Sequence, residues 1–462
     1  MTPPSWCRLL PLVAALTLLG GCASVGPAYT PPTPQLASQW QAPLPHDGEL
    51  ASLLDWWQQL DDPVLHRLLT VTEQQHPSLQ SALAAIDSAR ADVDSAALAG
   101  VPTASLSTTA TRQRGSSSVS RSSALDASWE IDLWGKLQRN REAASARLQA
   151  SEADWHDARA SLAAELASYY VNYRASQLQT ELAQLSRQSQ QDSTDATRVL
   201  VKAGLSSAVD GADAEAALAS ANDTLLAQQA DTEVYLKALV AISGMPEAEL
   251  RALLASEPAR LPAAANLQVD SVPADLLRQR PDLRAAERQV AAASAGIGVA
   301  EAARYPQFSL SGTLSVSRSQ GRQQNSWSFG PALSLPLFDG GSTQAAITQA
   351  QASYRQALAS YQSSVRSAVQ EGEQALVRVA SSSQRERALA ARHQLTAGQL
   401  AAVNRQWQAG SASVLELGSA LRSSIASQQD LITLQRDRLL YTLALYKALG
   451  GGWTTPTESQ AS

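Results

Sequence analysis

Two copies of one pattern fill most of the chain, and this duplication constrains the fold more than any other feature. His76-Pro77 is matched by Arg280-Pro281, 204 residues later. Further along, the spacing becomes 206, with Ala203-Gly204 matched by Ala409-Gly410. A repeat of this size within 462 residues indicates two copies of one structural unit.

Each copy opens with a predicted helix whose apolar and small residues alternate between steps of three and four. This spacing is typical of a coiled-coil seam. Because the residue before a proline avoids the α region, we expect the two helices to end before Pro102 and Pro306. The seam residues are Leu79, Ala82, Ile86, Ala89, Val93 and Ala96 in copy one, and Leu283, Ala286, Val290, Ala293, Ile297 and Ala300 in copy two.

Each copy then has two runs in which apolar and polar residues alternate, which is the period of a β-strand. We predict strands at about residues 103–112, 124–134, 307–317 and 327–337, with polar hairpin loops at 115–123 and 318–325. The alternation alone fits a soluble sheet with one wet face as well as a membrane barrel. Strands of about ten residues favour the barrel. Since four strands are too few to close, a barrel would require an oligomer.

Long stretches without proline follow each strand pair. They predict one helix over about residues 136–197 and another over about 342–399, with Gly372 inside the second. A helix of some 60 residues would be ~90 Å long and needs lateral partners. After Gly204 and Gly410 we expect helices that return over about 206–242 and 411–449.

The first 22 residues explain both cysteines of the chain, Cys7 and Cys22. Arg8 precedes an apolar run of eleven residues, which is too short to span a bilayer and typical of a signal peptide. The run leads into Leu19-Gly20-Gly21-Cys22, which resembles a bacterial lipobox. We therefore expect cleavage before Cys22 and lipidation of its thiol; an ordinary signal peptide with an incidental cysteine is the alternative.

Several classes of function are disfavoured by composition. A net charge of −6 argues against nucleic-acid binding. The five histidines are scattered without metal-ligand spacing, and no nucleotide-binding or catalytic motif occurs. We therefore expect no enzyme activity, no metal and no cofactor.

Six stretches of the chain are distinctive when taken together and in order: Leu19–Cys22, Trp56–Leu65, Ser128–Lys136, Arg280–Glu287, Ile297–Pro306 and Pro336–Gly341. They resemble the outer-membrane efflux proteins of the TolC/OprM type, and within them the NodT-like lipoproteins. The resemblance covers essentially the whole chain.

The resemblance implies a mainly helical homotrimer. Three chains would form one 12-stranded transmembrane β-barrel in the outer membrane, continued by a periplasmic α-helical barrel. Such a duct would dock on a periplasmic adaptor (membrane fusion) protein and an inner-membrane transporter, expected to be of the RND type, and export drugs or other small molecules. A duct for type I protein secretion and a non-conducting coiled-coil lipoprotein are the alternatives.

The expected organisation follows the repeats. It consists of a signal peptide (1–21), a lipid-anchored segment with an equatorial helix (22–75), repeat one (76–245), an equatorial connector (246–279), repeat two (280–452) and a tail (453–462).

Two sets of site residues come from the resemblance. The family constricts its periplasmic end near the turns between long and return helices, which implies a gate at Trp407, Leu415, Glu416 and Ser419 and at Val209, Asp210 and Asp213. Rings of carboxylates there would favour cations, although each acid also suits the start of a helix. The passages from strand to helix are assigned to Trp134 and Gly135 and to Asp339, Gly340 and Gly341, where glycine permits the turn and Asp339 is placed to cap the helix.

Overall fold

The computed structural model describes residues 24–33, 60, 62–112, 114, 119–262, 280–319 and 322–450. The predicted signal peptide, Cys22, Trp56, Trp57, much of the connector and the tail lie outside the described residues.

Helices dominate, and the same order of elements occurs twice. After α1 (Pro63–Gln75), copy one comprises α2 (Pro77–Leu98), β1 (Thr103–Thr111), β2 (Ser120–Ile131), α3 (Lys136–Lys202) and α4 (Ala208–Ser243). A short α5 (Glu247–Ala255) precedes copy two, which comprises α6 (Pro281–Ala302), β3 (Gln307–Ser319), β4 (Arg322–Ser334), α7 (Ser342–Gln408) and α8 (Val414–Ala448). Of the described helices, none is both long and apolar enough to cross a membrane.

The long helices extend further than predicted. Both α3 and α7 contain 67 residues, or ~100 Å of helix. α7 continues through Gly372 and Gly398, since an isolated glycine in a helix costs only ~1 kcal/mol relative to alanine.

The four strands form one antiparallel sheet in the order β1-β2-β3-β4, so β2 and β3 join the two copies. Several predicted strand bounds were wrong. Ser319 pairs directly with Arg322, and β2 begins at Ser120, because the backbone ladder does not depend on apolar side chains. At the other end, β2 stops at Ile131 rather than 134, and β4 stops at Ser334 rather than 337, before Pro336, which has no N–H for the ladder.

The register separates the side chains of the sheet by polarity. Cross-strand partners project from the same face of a sheet, and four successive rows of partners on one face are apolar. These rows are Leu106-Leu125-Leu314-Trp327, Ala104-Ala127-Gly312-Phe329, Trp129-Leu310-Pro331 and Ile131-Phe308-Leu333. Trp327 is 78% exposed on this apolar face. The opposite face carries mainly serine and threonine.

The chain divides into two compact units, and each contains parts of both copies. One unit holds the sheet, the adjoining parts of the long helices, most of α2, nearly all of α6 and residues 24–33. The other holds α1, α4, α5, α8 and the remainder of the long helices. The main apolar core lies in the second unit, where Leu65, Leu68, Leu166, Leu239 and Tyr446 are almost completely buried.

Candidate functional sites: the hairpin tips and the strand-to-helix joints

The two turns between long and return helices, which we call the first tip (residues 198–222) and the second tip (404–428), have the same backbone structure. Gly204 and Gly410 have φ angles of 69° and 73°, in the left-handed region that favours glycine. In the second tip, Gly410 N–H donates to Trp407 O at 2.9 Å and Ser411 N–H to Gln406 O at 2.9 Å. This is a Schellman motif, which satisfies carbonyl groups that the helix end leaves free.

Each return helix then begins with a capping box. Ser207 Oγ accepts from Asp210 N–H at 3.1 Å, and Asp210 Oδ2 accepts from Ser207 N–H at 2.9 Å. In the second tip, Ser413 Oγ accepts from Glu416 N–H at 3.2 Å, and Glu416 Oε2 accepts from Ser413 N–H at 2.7 Å. Asp210 and Glu416, two of the three predicted gate acids, therefore also cap helices.

These hydrogen bonds hold the two carboxylates in their charged form. Those from Ser206 and Ser207 lower the pKa of Asp210, and those from Ser413 lower the pKa of Glu416. Asp210 and Glu416 are both exposed, so each tip presents a charged carboxylate to solvent at neutral pH.

The other predicted gate residues lie in the same turns. Val209, Asp213, Trp407 and Ser419 are exposed, and Leu415 is half-buried. Trp407 contributes its carbonyl group to the Schellman motif. The described residues of each tip thus present apolar and polar side chains side by side.

A contact between α3 and α8 at the second tip was not predicted. An ideal Cβ on Gly418 would lie only 2.5 Å from Ser193 Oγ, so the two helices approach closely at this glycine. Arg422 Nη1 donates to Ser193 Oγ at 3.2 Å and, at 3.4 Å, to Ser189 Oγ. Burial lowers the pKa of the Arg422 guanidinium. The only signal in the sequence was a glycine early in a predicted helix.

The joint between β2 and α3 is covered by other side chains. Trp134 Nε1 donates to Pro306 O at 2.8 Å, and its ring stacks on Tyr305 at 4.8 Å between centroids. Gly135 has a φ of 78°, and Asp132 Oδ2 accepts from Gln138 N–H at 2.9 Å. Asp132, which was not among the predicted joint residues, therefore caps α3.

The joint between β4 and α7 is built differently. Asp339 Oδ1 accepts from Gly341 N–H at 2.9 Å and Oδ2 from Thr343 N–H at 2.7 Å. Hydrogen bonds from Thr343 and Gly341 lower the pKa of Asp339 to about 2. Gly340 and Gly341 have φ angles of 65° and 90°. Phe338, at the position of Trp134, is 93% exposed.

The fold is shared with a solved outer-membrane channel. The solved structure of the outer-membrane channel OprN, 31% identical, superposes with a TM-score of 0.80 over 93% of this chain and 100% of that chain. The fold is therefore that of an outer-membrane channel.

Sequence relatives define the family. Nodulation protein T of Rhizobium leguminosarum bv. viciae is 29% identical over 452 residues, covering 96% of this chain and 93% of that protein. The probable efflux pump outer membrane protein TtgC of Pseudomonas putida is 29% identical over 488 residues, covering 98% of each chain. The family description "Outer membrane efflux protein" matches residues 68–245 and 272–451. The chain belongs to the outer membrane efflux protein family and is an outer-membrane efflux channel that extends into the periplasm, as its sequence predicted.

Proposed function

We propose that three copies of this chain form the exit duct of a tripartite efflux pump, and that the carboxylates of its tips form the periplasmic gate. The observation that carries the oligomer is the open sheet, and the resemblance to the family supports three copies. Among the described residues, β1 and β4 each have one edge without a partner strand. Exposed edges of this kind promote pairing with another chain. Pairing β4 of one chain with β1 of the next would give twelve strands and close a barrel.

The apolar face supports placing this barrel in the membrane. Its four rows, from Trp327 to Leu333 along β4, extend ~20 Å along the strand, which is ~15 Å of height at a tilt of about 40°. They would form more than half of the apolar band of a membrane barrel, which is about 25 Å tall. The face of small hydroxylic residues would then line the water-filled interior.

Cys22 would add a lipid anchor in the outer membrane. A lipobox-like stretch, Leu19–Cys22, is its support. The pump would be completed by a periplasmic adaptor protein and an inner-membrane transporter of the RND type, and its cargo would be drugs or other small molecules. The resemblance to efflux pump components supports this assignment.

In the gate, Asp210 and Glu416 would supply rings of negative charge, with Trp407, Leu415, Ser419, Val209 and Asp213 around them. Threefold rings of carboxylates in a narrow aqueous mouth attract cations. Because both carboxylates are charged at neutral pH, we expect cation selectivity.

The test must separate a gate acid from a helix cap, since Glu416 has both features. Glu416→Gln removes the charge and keeps an acceptor for the capping box. Ser413→Ala weakens the box and keeps the charge. We expect Glu416→Gln to reduce cation selectivity in planar bilayers, whereas Ser413→Ala leaves selectivity close to that of the parent.

Equal selectivity in the parent and Glu416→Gln would remove Glu416 from the gate. The same preparations test the trimer: cross-linked protein should migrate as a trimer, and a monomer that never conducts would contradict the duct itself.

A further inference from the structure

Residues 24–29 lie in a slot of the unit that contains the sheet. Val25 N–H donates to the carbonyl oxygen of Trp134 at 3.2 Å. Arg139, in the first turn of α3, donates from Nε to Val25 O at 3.2 Å and from Nη2 to Gly26 O at 3.4 Å. The main chain of this segment is therefore held against the joint of copy one.

Three glycines from three separate segments make this close approach possible. An ideal Cβ on Gly26 would lie 2.5 Å from Gly298 Cα, and one on Gly135 would lie 2.8 Å from Ser24 Cα. A Cβ on Gly298 would lie 2.8 Å from Val25 O. All three neighbouring atoms belong to the backbone, so a change of side-chain rotamer cannot relieve the overlap. Glycine at 298, inside α6, weakens that helix, but it leaves room for the segment.

Tyr29 fixes the other end of the segment. Its hydroxyl donates to a carboxylate oxygen of Glu287, which is buried. Arg288 lies over the Tyr29 ring at 5.7 Å and donates from Nε to Glu287 Oε2 at 2.6 Å. Burial and the hydrogen bond to Glu287 raise the pKa of Tyr29, which keeps the hydroxyl protonated as a donor.

The joint of copy two is not covered in this way. Leu337 and Phe338 are 90% and 93% exposed there, whereas Trp134 in copy one stacks on Tyr305. The slot is thus a specific feature of one joint and not a general property of the repeat.

We propose that residues 24–29 are an anchor strap, an N-terminal segment bound in a slot formed by Gly135, Arg139 and Gly298, which holds the lipid-bearing end of the chain beside the periplasmic end of β2. The lipid part rests on the lipidation of Cys22 proposed above. Cys22 is two residues before Ser24, which allows a reach of at most ~7 Å. With so short a tether, the acyl chains enter the bilayer next to the joint and fix its depth in the membrane.

The test uses accessibility of an introduced cysteine in the full-length protein in outer membranes. Val25→Cys places a thiol within the strap, and Thr30→Cys places one at an exposed position just after it. A membrane-impermeant maleimide should label Val25→Cys much more slowly than Thr30→Cys. Equal rates in the otherwise unchanged chain would overturn the strap.

Gly298→Ala should release the strap and speed labelling of Val25→Cys by about tenfold, as expected when a docked segment becomes locally unfolded. Gly296→Ala, on the same helix, is the matched control, because an ideal Cβ on Gly296 has no neighbouring atom within 4 Å. An unchanged rate with Gly298→Ala would show that the slot does not hold the segment.

Mass analysis of the N-terminal peptide separates this proposal from lipidation. An acylated Cys22 with a protected residue 25 supports both parts. A free Cys22 with a protected residue 25 keeps the strap and removes its lipid.

Discussion

The two copies of the repeat hold their long helices in different ways. Tyr170 and Arg174 of α3 correspond, at the spacing of 206, to Leu376 and Ala380 of α7. In copy one the Tyr170 hydroxyl donates to Asp62 Oδ2 at 2.8 Å, and Arg174 Nε donates to the Tyr170 hydroxyl at 3.0 Å. In copy two, Leu376 packs in a small apolar cluster. The buried chain of hydrogen bonds from Arg174 through Tyr170 to Asp62, which we call the polar column, thus corresponds to an apolar contact in copy two.

The two tips also differ in this way, since charged side chains join the helices of the first tip and uncharged residues occupy the same positions in the second. Arg198 bridges Asp195 and Glu215, each at 2.5 Å, and so joins α3 to α4. The corresponding residues of copy two are Ala401, Asn404 and Leu421, which cannot form ion pairs. Ion pairs of Arg392 with Asp430 and of Arg438 with Glu386 join α7 to α8 further from the tip. Between the Thr396–Ser427 contact and the second tip, the described residues of the two helices share no side-chain hydrogen bond or ion pair. The duplicated units thus kept the same backbone structure, whereas the side-chain hydrogen bonds and ion pairs between their helices diverged.

The largest expected effect comes from breaking the polar column. Asp62→Ala removes the acceptor of Tyr170, whose hydroxyl in turn accepts from Arg174, a guanidinium that is 1% exposed. It also removes the side-chain cap of α1. Leaving a buried polar group without its hydrogen-bond partner costs about 1–3 kcal/mol, and more where a charge is involved, and a lost helix cap adds about 1 kcal/mol. We expect a clearly lower melting temperature of the purified protein.

A second substitution distinguishes this mechanism from simple loss of packing. Arg174→Met added to Asp62→Ala should recover part of the loss, because no guanidinium then remains buried, whereas the lost cap of α1 is not restored. Arg174→Met should not rescue Leu376→Ala, the apolar counterpart in copy two. Lack of rescue in the first pair would contradict the column.

The capping boxes should give a smaller effect that is equal in the two copies. Ser207→Ala and Ser413→Ala each remove a helix cap, which is worth about 1 kcal/mol. Similar decreases in melting temperature are expected. A large difference between them would show that the tips are not equivalent in stability.

The caps also predict a pH dependence. The folded-state pKa values of Asp210 and Glu416 lie below their ordinary values. Their contribution to stability is therefore complete above the ordinary pKa and is lost as the pH falls through the lowered one. Melting curves from neutral to acid pH should show this loss of stability. The loss should be smaller in the double variant Ser207→Ala, Ser413→Ala.

Arg198 should give the smallest effect, because exposed ion pairs contribute little. Arg198→Asn installs the residue of copy two and should speed hydrogen exchange at the first tip by no more than about fivefold. High salt should reduce the difference between parent and variant. Asn404→Ala in copy two is the matched control and should leave exchange at the second tip unchanged.

What the sequence determined by itself was mostly local. The glycine at each tip, followed by serine and an acid three residues later, specifies a Schellman motif and a capping box, because all the partners lie within a few residues. Likewise Asp339 with Gly340 and Gly341 indicated a capped turn. The alternation of the strands predicted the sheet and its apolar face, although the polar ends of the hairpins concealed the strand bounds.

Which distant segments meet could be seen only once the chain was folded. Asp62 and Tyr170 are 108 residues apart, and Tyr29 and Glu287 are 258 apart. Nothing in the local pattern of Gly26, Gly135 or Gly298 shows that they face the same slot. Local turns depend on hydrogen bonds between neighbours in sequence, whereas these contacts depend on how the helices and the sheet pack, and packing is a property of the whole fold.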